Sequence, residues 1–223
     1  MLEQNRTLRE GITADEKRKD TGAAASKQIM LGEAYLMADK KADALVAAEK
    51  AATSSSDDSV QISAARVFVA AGQVKKAEMI ADKLAARIDA DPQAYAQLIQ
   101  GEVQLAQGRP SEAITVFNRS KQTADTWLVH YDLGRAYLAA SAFPEANSEF
   151  ETCLRRIGEA TALFLDESPT FHASAPVYYY YGRGKEAMKQ PSAAGAYAKF
   201  VEIMQKADSS EMVADAKKRS AGK

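Results

Sequence analysis

Residues 177–187, VYYYYGRGKEA, set Gly182, Gly184 and Ala187 in a GxGxxA spacing, with Glu202 20 residues after Gly182. That spells a dinucleotide fingerprint, with glycines for a tight strand-to-helix turn, a helix N-terminus for the pyrophosphate and an acid for the ribose hydroxyls. Such a site needs a strand ahead of the glycines and further strands to complete a parallel sheet. Only the aromatic run 177–181 is β-prone in this chain, so a nucleotide-binding enzyme is the remotest reading.

Other catalytic constellations are missing from the sequence. His130 and His172 are the only histidines, 42 residues apart and without the close His or Cys partner a zinc site uses. There is no GxSxG, and no kinase set of Gly-rich loop, HRD and DFG. The single cysteine, Cys153, lies in the apolar pattern of EFETCLRRI and is expected to be a packed hydrophobe rather than a reactive thiol. Asp57 and Asp58 sit in a polar linker suited to helix capping. The expected catalytic, cofactor and metal sites are therefore none.

Composition bounds the class of the chain. Of 223 residues, 46% are hydrophobic, enough for a substantial core, and 29 Lys and Arg against 30 Asp and Glu leave no global charge to steer nucleic acid. No apolar run reaches the roughly 18 residues of a membrane span. Neither nucleic acid nor a membrane span is expected. Alanine abundance and only 12 Gly and 6 Pro favour helix throughout.

The elements that position any site are legible as a repeat. Gly134 and Ala146 are twelve residues apart, and the interval recurs at Gly32/Ala44, Ala65/Ala77, Gly101/Ala113 and Gly182/Ala194. Successive alanines stand 33, 36, 33 and 48 residues apart, so four copies follow at near-constant period and a fifth follows an insertion. Small residues let two helices cross closely, while Tyr35, Phe68 and Tyr137, three residues on, and Phe117 and Phe150, four after their alanines, fill the space beside the crossing. On this ruler Ala146→Leu should overpack a crossing and Ala160→Leu, outside it, should cost much less. Gly72, Gly108-Arg109-Pro110, Pro144 and Pro191 fall between the two helices of a copy, and SSSDDS (54–59), DADP (89–92) and TADT (123–126) separate copies.

A period of about 34 with small residues at positions 8 and 20 and aromatics near 11 and 24 resembles the tetratricopeptide repeat (TPR). The stretches ADTWLVHYDLGRAYL, GEATALFLDESPT and PVYYYYGRGKEAM are similar to the C-terminal TPR region of bacterial eukaryotic-like serine/threonine kinases and related multidomain regulators. The resemblance implies an all-α, right-handed α-solenoid of about five helical hairpins with a C-terminal capping helix. It implies a non-catalytic protein–protein interaction scaffold, kinase-associated and part of a larger bacterial signalling protein, whose partner is a protein or peptide. The compartment would be cytoplasmic, or extracytoplasmic in a membrane-anchored kinase.

In that family a concave groove is lined by the first helix of each unit. Carried over by counting from 25, 58, 94, 127 and 175, position 9 gives Glu33, Arg66, Glu102, Arg135 and Arg183. Position 5 includes Tyr131 and Tyr179, and position 2 includes Tyr95. Tyr and Arg are common binding hot spots. The competing reading makes the alternating acids and arginines, such as Glu102 and Arg135, exposed ion pairs worth about 0–1 kcal/mol each. Glu149 is expected on the outer face. The Lys and Asn of the chaperone-tail clamp are absent. Self-association into a homo-oligomer is the alternative function.

The expected organisation is a lead-in or upstream remnant over 1–24, the repeat array over 25–207 with an insertion at 158–176, and a capping helix and tail over 208–223. The lead-in contains Thr13-x-x-Glu16, a candidate capping box, but DEKRKDTG reads as too polar to pack firmly. Leu163, Phe164, Leu165 and Phe171 of the insertion would pack back onto the repeats or fold over the groove. Ser209 or Ser210 can cap the last helix, whose end carries Lys217, Lys218 and Arg219.

Overall fold

The computed structural model describes residues 2–160, 171–205 and 210–221. Among these the chain is all-α, with no strand, and divides into two compact units, Met1–Ala106 and Gln107–Lys223. The division falls after the first helix of the third sequence copy.

The first unit comprises α1 (Leu2–Arg18), α2 (Thr21–Met37), α3 (Lys41–Ser54), α4 (Asp58–Ala70), α5 (Val74–Ala85) and α6 (Ala90–Ala106). Each helix packs on the next, and α4 also packs against both α2 and α6. The second comprises α7 (Pro110–Thr123), α8 (Trp127–Ala139), α9 (Phe143–Arg155), a 3-10 turn (Ile157–Ala160), α10 (Phe171–Ala187), α11 (Ala193–Ile203) and α12 (Glu211–Ser220). Here too neighbours pack in order, and α10 packs against α8. Consecutive antiparallel packing, with first helices also touching, is the pattern of an α-solenoid.

Local chemistry sets the helix ends. Asp20, Asp57, Thr126 and Ser210 cap α2, α4, α8 and α12 by accepting from Ala23 N, Ser59 N, Val129 N and Val213 N. Pro110 and Pro144 occupy the first turns of α7 and α9, where an N–H has no partner to lose. The turn inside each hairpin holds one residue at positive φ, at Asp39, Gly72, Gly108, Ser141 and Lys189. Only two are glycine, which explains why glycine alone did not mark these turns in the sequence.

The crossings are those of the ruler, with one shift. A Cβ on Gly32 would sit 3.4 Å from Ala44 O, and one on Gly134 would run into the Phe150 ring at 2.7 Å from Cδ1. The second helices bury a common i, i+4, i+7 set: Ala44, Ala48 and Ala51; Ala77, Ala81 and Leu84; Ala113, Phe117 and Ser120; Ala146, Phe150 and Cys153. In the fifth copy the set is Ala193, Tyr197 and Phe200, so Ala193 rather than Ala194 takes the crossing.

Several expectations are corrected. The run 177–181 lies inside α10, so the GxGxxA residues are mid-helix and no strand precedes them; Gly182 faces Tyr197 and Gly184 faces Asn147 instead. Residues 2–18 form α1, packed on α2 with Ile12 and Asp15 buried, the latter paired with Lys27 at 2.5 Å and with Arg18. Thr13 is no cap but bonds back to Arg9 O within α1. Ala160 is fully buried in the 3-10 turn, which touches α8 and α10. Leu163, Phe164 and Leu165 lie outside the described residues, as does the side chain of Phe171.

Candidate functional site

In the first unit, α2, α4 and α6 present Glu33, Arg66 and Glu102, one from each helix. Arg66 Nη2 lies 3.0 Å from Glu102 Oε1, and the two side chains are 14% and 8% exposed, so this is an embedded pair and not a surface one. Glu33 is half-buried; desolvation pushes its carboxyl up to about 7, with the positive charge of Arg66 partly opposing. Tyr95, on α6, is buried in the core.

In the second unit, α8 supplies Tyr131 and Arg135. The Tyr131 ring stacks on Trp127 at 5.8 Å and meets Tyr180 edge-on at 6.1 Å, leaving it buried. Arg135 lies over that ring at 5.4 Å and donates to Asp132 Oδ1 at 2.9 Å. Asp132, which spacing alone did not single out, is fully buried and orients the guanidinium; its i, i+3 relation to Arg135 was the available signal.

α10 supplies Tyr179 and Arg183. The Tyr179 ring sits in a cluster with Tyr197, Phe200, Val213 and Ala216, and its hydroxyl donates to Asp215 Oδ2 on α12 at 2.7 Å. Burial and the Asp215 bond both raise the phenol pKa, against Arg183. Arg183 is exposed and donates to the same hydroxyl at 3.3 Å. Asp215 is held below the usual carboxylate range, first by the bond from Arg219 at 2.6 Å. Thus α12 takes up the polar end of Tyr179, while the guanidinium of Arg183 stays open to solvent.

Glu149 is not an outer-face residue. Its side chain is 15% exposed and accepts from His130 Nδ1 and from Lys121 Nζ at 3.1 Å. Burial raises its pKa, but the His130 and Lys121 interactions outweigh that and hold it low. Hydropathy could not reveal this, because the partners lie on α7 and α8. The buried Trp127 Nε1 donates to Cys153 O at 2.9 Å, and burial pushes the Cys153 thiol up, as suits a core thiol rather than a nucleophile. Among the described residues no group of three or more His, Cys, Asp or Glu is arranged to hold a metal ion, and no helix is long and apolar enough to cross a membrane.

A thermophilic TPR protein of Thermus thermophilus superposes with a TM-score of 0.61 over 89% of this chain and 98% of its own, at 17% identity. The fold is a tetratricopeptide-repeat fold. YrrB, a TPR protein with an unusual peptide-binding site, is 18% identical over 92% of this chain and 96% of its own, with a TM-score of 0.48. No family model and no curated protein matches the sequence. In TPR terms α2, α4, α6, α8 and α10 are first helices, and every candidate residue counted from the sequence lies on one of them.

Proposed function

We propose that the chain is a non-catalytic interaction module that binds a protein or peptide partner along its first helices. The observation that carries this is the charged row at one repeat position: Glu33, Arg66 and Glu102 on successive first helices of one unit, Arg135 and Arg183 in the other. Charge at the buried and half-buried places of Glu33, Arg66, Glu102 and Arg135 is costly, and well-packed apolar residues would serve stability there as well or better. A row kept there suits recognition, with arginine offering forked hydrogen bonds to a partner's carboxylates or carbonyls. With Tyr95, Tyr131 and Tyr179 mainly in the core, the arginines are the contact residues and the tyrosines their packed support. The kinase-attached context that the sequence resembles would make such a module the non-catalytic arm of a larger signalling protein.

The test is selection of peptides from a displayed library on the full chain, followed by affinity measurements on Arg135→Ala/Arg183→Ala. Selected peptides should lose about 2 kcal/mol or more, with unchanged far-UV circular dichroism. Equal binding by the double variant overturns the assignment. Self-association as the function would show instead as concentration-dependent sedimentation abolished by the same substitutions.

A further inference from the structure

α12 is held on the second unit by few groups. Of its ten residues only Val213 and Ala216, at i and i+3, are buried; they close over the aromatic cluster of Tyr179, Tyr197 and Phe200, with Met212 partly buried beside them. Its polar contacts are solvated. Asp215 accepts from the Tyr179 hydroxyl at 2.7 Å and from Arg219 Nε at 2.6 Å, and Arg219 also pairs with Glu186, which accepts from the Tyr197 hydroxyl at 2.8 Å. The Asp215, Arg219 and Glu186 side chains are 32%, 29% and 44% exposed, and pairs so open to water hold little. Where α4 packs on α2 and α10 on α8, helix against helix, α12 packs on α11 and reaches α10 through these side-chain ends.

A ten-residue helix is too short to persist in water without docking, so leaving the surface and losing the helix are one event. A segment with so little buried belongs to the part of a fold that opens first. Its departure uncovers part of the Tyr179, Tyr197 and Phe200 cluster, an apolar and aromatic floor with the Arg183 guanidinium at its edge. The chain itself shows what such a floor accepts. Asp215 sets a carboxylate against the Tyr179 hydroxyl, which Arg183 also reaches at 3.3 Å, and it does so from a helix whose small apolar pair enters the cluster alongside.

We propose that α10 and α11 form a helix-binding site that α12 closes in cis, and that its ligand is a partner's amphipathic helix presenting a carboxylate in the place of Asp215 next to two small aliphatic side chains. α12 is then an internal competitor. Its occupancy lowers the partner's apparent affinity in proportion to the fraction of molecules in which the site is open. The inference rests on the interaction-module reading above and adds to it the chemistry that the α10 end accepts and the element that regulates it.

The experiment is fluorescence anisotropy of a fluorescein-labelled peptide of residues 208–223 with the full chain. Wild type, its site filled, should bind the peptide weakly. Val213→Asp/Ala216→Asp, which spoils the docking face of α12 and leaves α10 and α11 intact, should bind it about tenfold or more tightly. Should that variant aggregate, Asp215→Ala/Arg219→Ala in the chain should still strengthen binding several-fold. To the opened chain, a peptide carrying Asp215→Ala should bind several-fold more weakly, and so should the unaltered peptide once Tyr179→Phe removes the hydroxyl. Equal binding by wild type and opened chains, no binding by opened chains, or indifference to the peptide's Asp215 would each overturn the proposal. So would a wild-type dimer in sedimentation that Val213→Asp/Ala216→Asp abolishes, since it would assign α12 to exchange between copies. Library peptides indifferent to Arg135 and Arg183 would refute the first-helix row alone, because the probe here is α12's own sequence and every opening substitution lies on α12.

Discussion

Gly134→Ala isolates the steric logic of the repeat. The added methyl would lie 2.7 Å from Phe150 Cδ1 and 2.8 Å from Cζ, well inside van der Waals contact. The ring cannot retreat freely, since Phe150 is fully buried and stacks on Tyr180 at 6.2 Å. Overpacking of this kind costs about 1–3 kcal/mol, while alanine's better helix propensity returns about 1 kcal/mol, so a net loss of up to about 2 kcal/mol is expected. Gly195→Ala is the internal control: it lies within α11, a Cβ there meets nothing within 4 Å, and propensity alone should stabilise by about 0.5–1 kcal/mol. Urea unfolding followed by circular dichroism reads both. Adding Phe150→Leu to Gly134→Ala should show a favourable coupling of about 0.5 kcal/mol or more. Gly134→Ala at or above wild-type stability would refute the close-crossing account.

Glu33→Gln should remove a pH dependence. With its folded pKa raised to about 7 against about 4.3 unfolded, the folded state binds more protons between those values, so stability falls as pH rises through that window. Relative to Glu33→Gln, wild type should lose about 1–3 kcal/mol from pH 5 to pH 8 in denaturant titrations; parallel profiles would contradict the burial of that carboxylate. Ala160→Leu should cost about 1–3 kcal/mol, comparable with Ala146→Leu, because both methyls are fully buried. A near-neutral Ala160→Leu in the same assay would show that the 3-10 turn is loosely packed.

The repeat was legible because a helix crossing restricts residue size at fixed intervals, a constraint that Gly32, Ala65 and Gly134 display whatever their neighbours. What escaped was burial achieved by polar means. Asp15 is buried in α1 through Lys27 and Arg18, and Glu149 through His130 and Lys121, and all look like solvated charges in a hydropathy reading. The tyrosine run misled for a related reason. On α10, Tyr179 is buried in a core cluster and Tyr180 packs partly against it, while Tyr181 donates to Glu151, so β-prone residues serve helix packing on different faces. Of the candidate site, the helix and position of each residue were readable, but not which aromatic rings the core would claim.

The buried sets on the second helices change along the chain, from three methyls in α3 to Ala193, Tyr197 and Phe200 in α11. An all-alanine contact holds by backbone proximity and has little apolar area to lose; an aromatic contact retains much of its area even when the helices drift slightly. Local opening should therefore be graded, with the amides of α3 exchanging with deuterium before those of α9 and α11. The same grading gives α3 a narrow tolerance in evolution, since any side chain larger than a methyl must separate its helix from α2, whereas the aromatic sites can trade Phe, Tyr and Leu so long as glycine stands opposite.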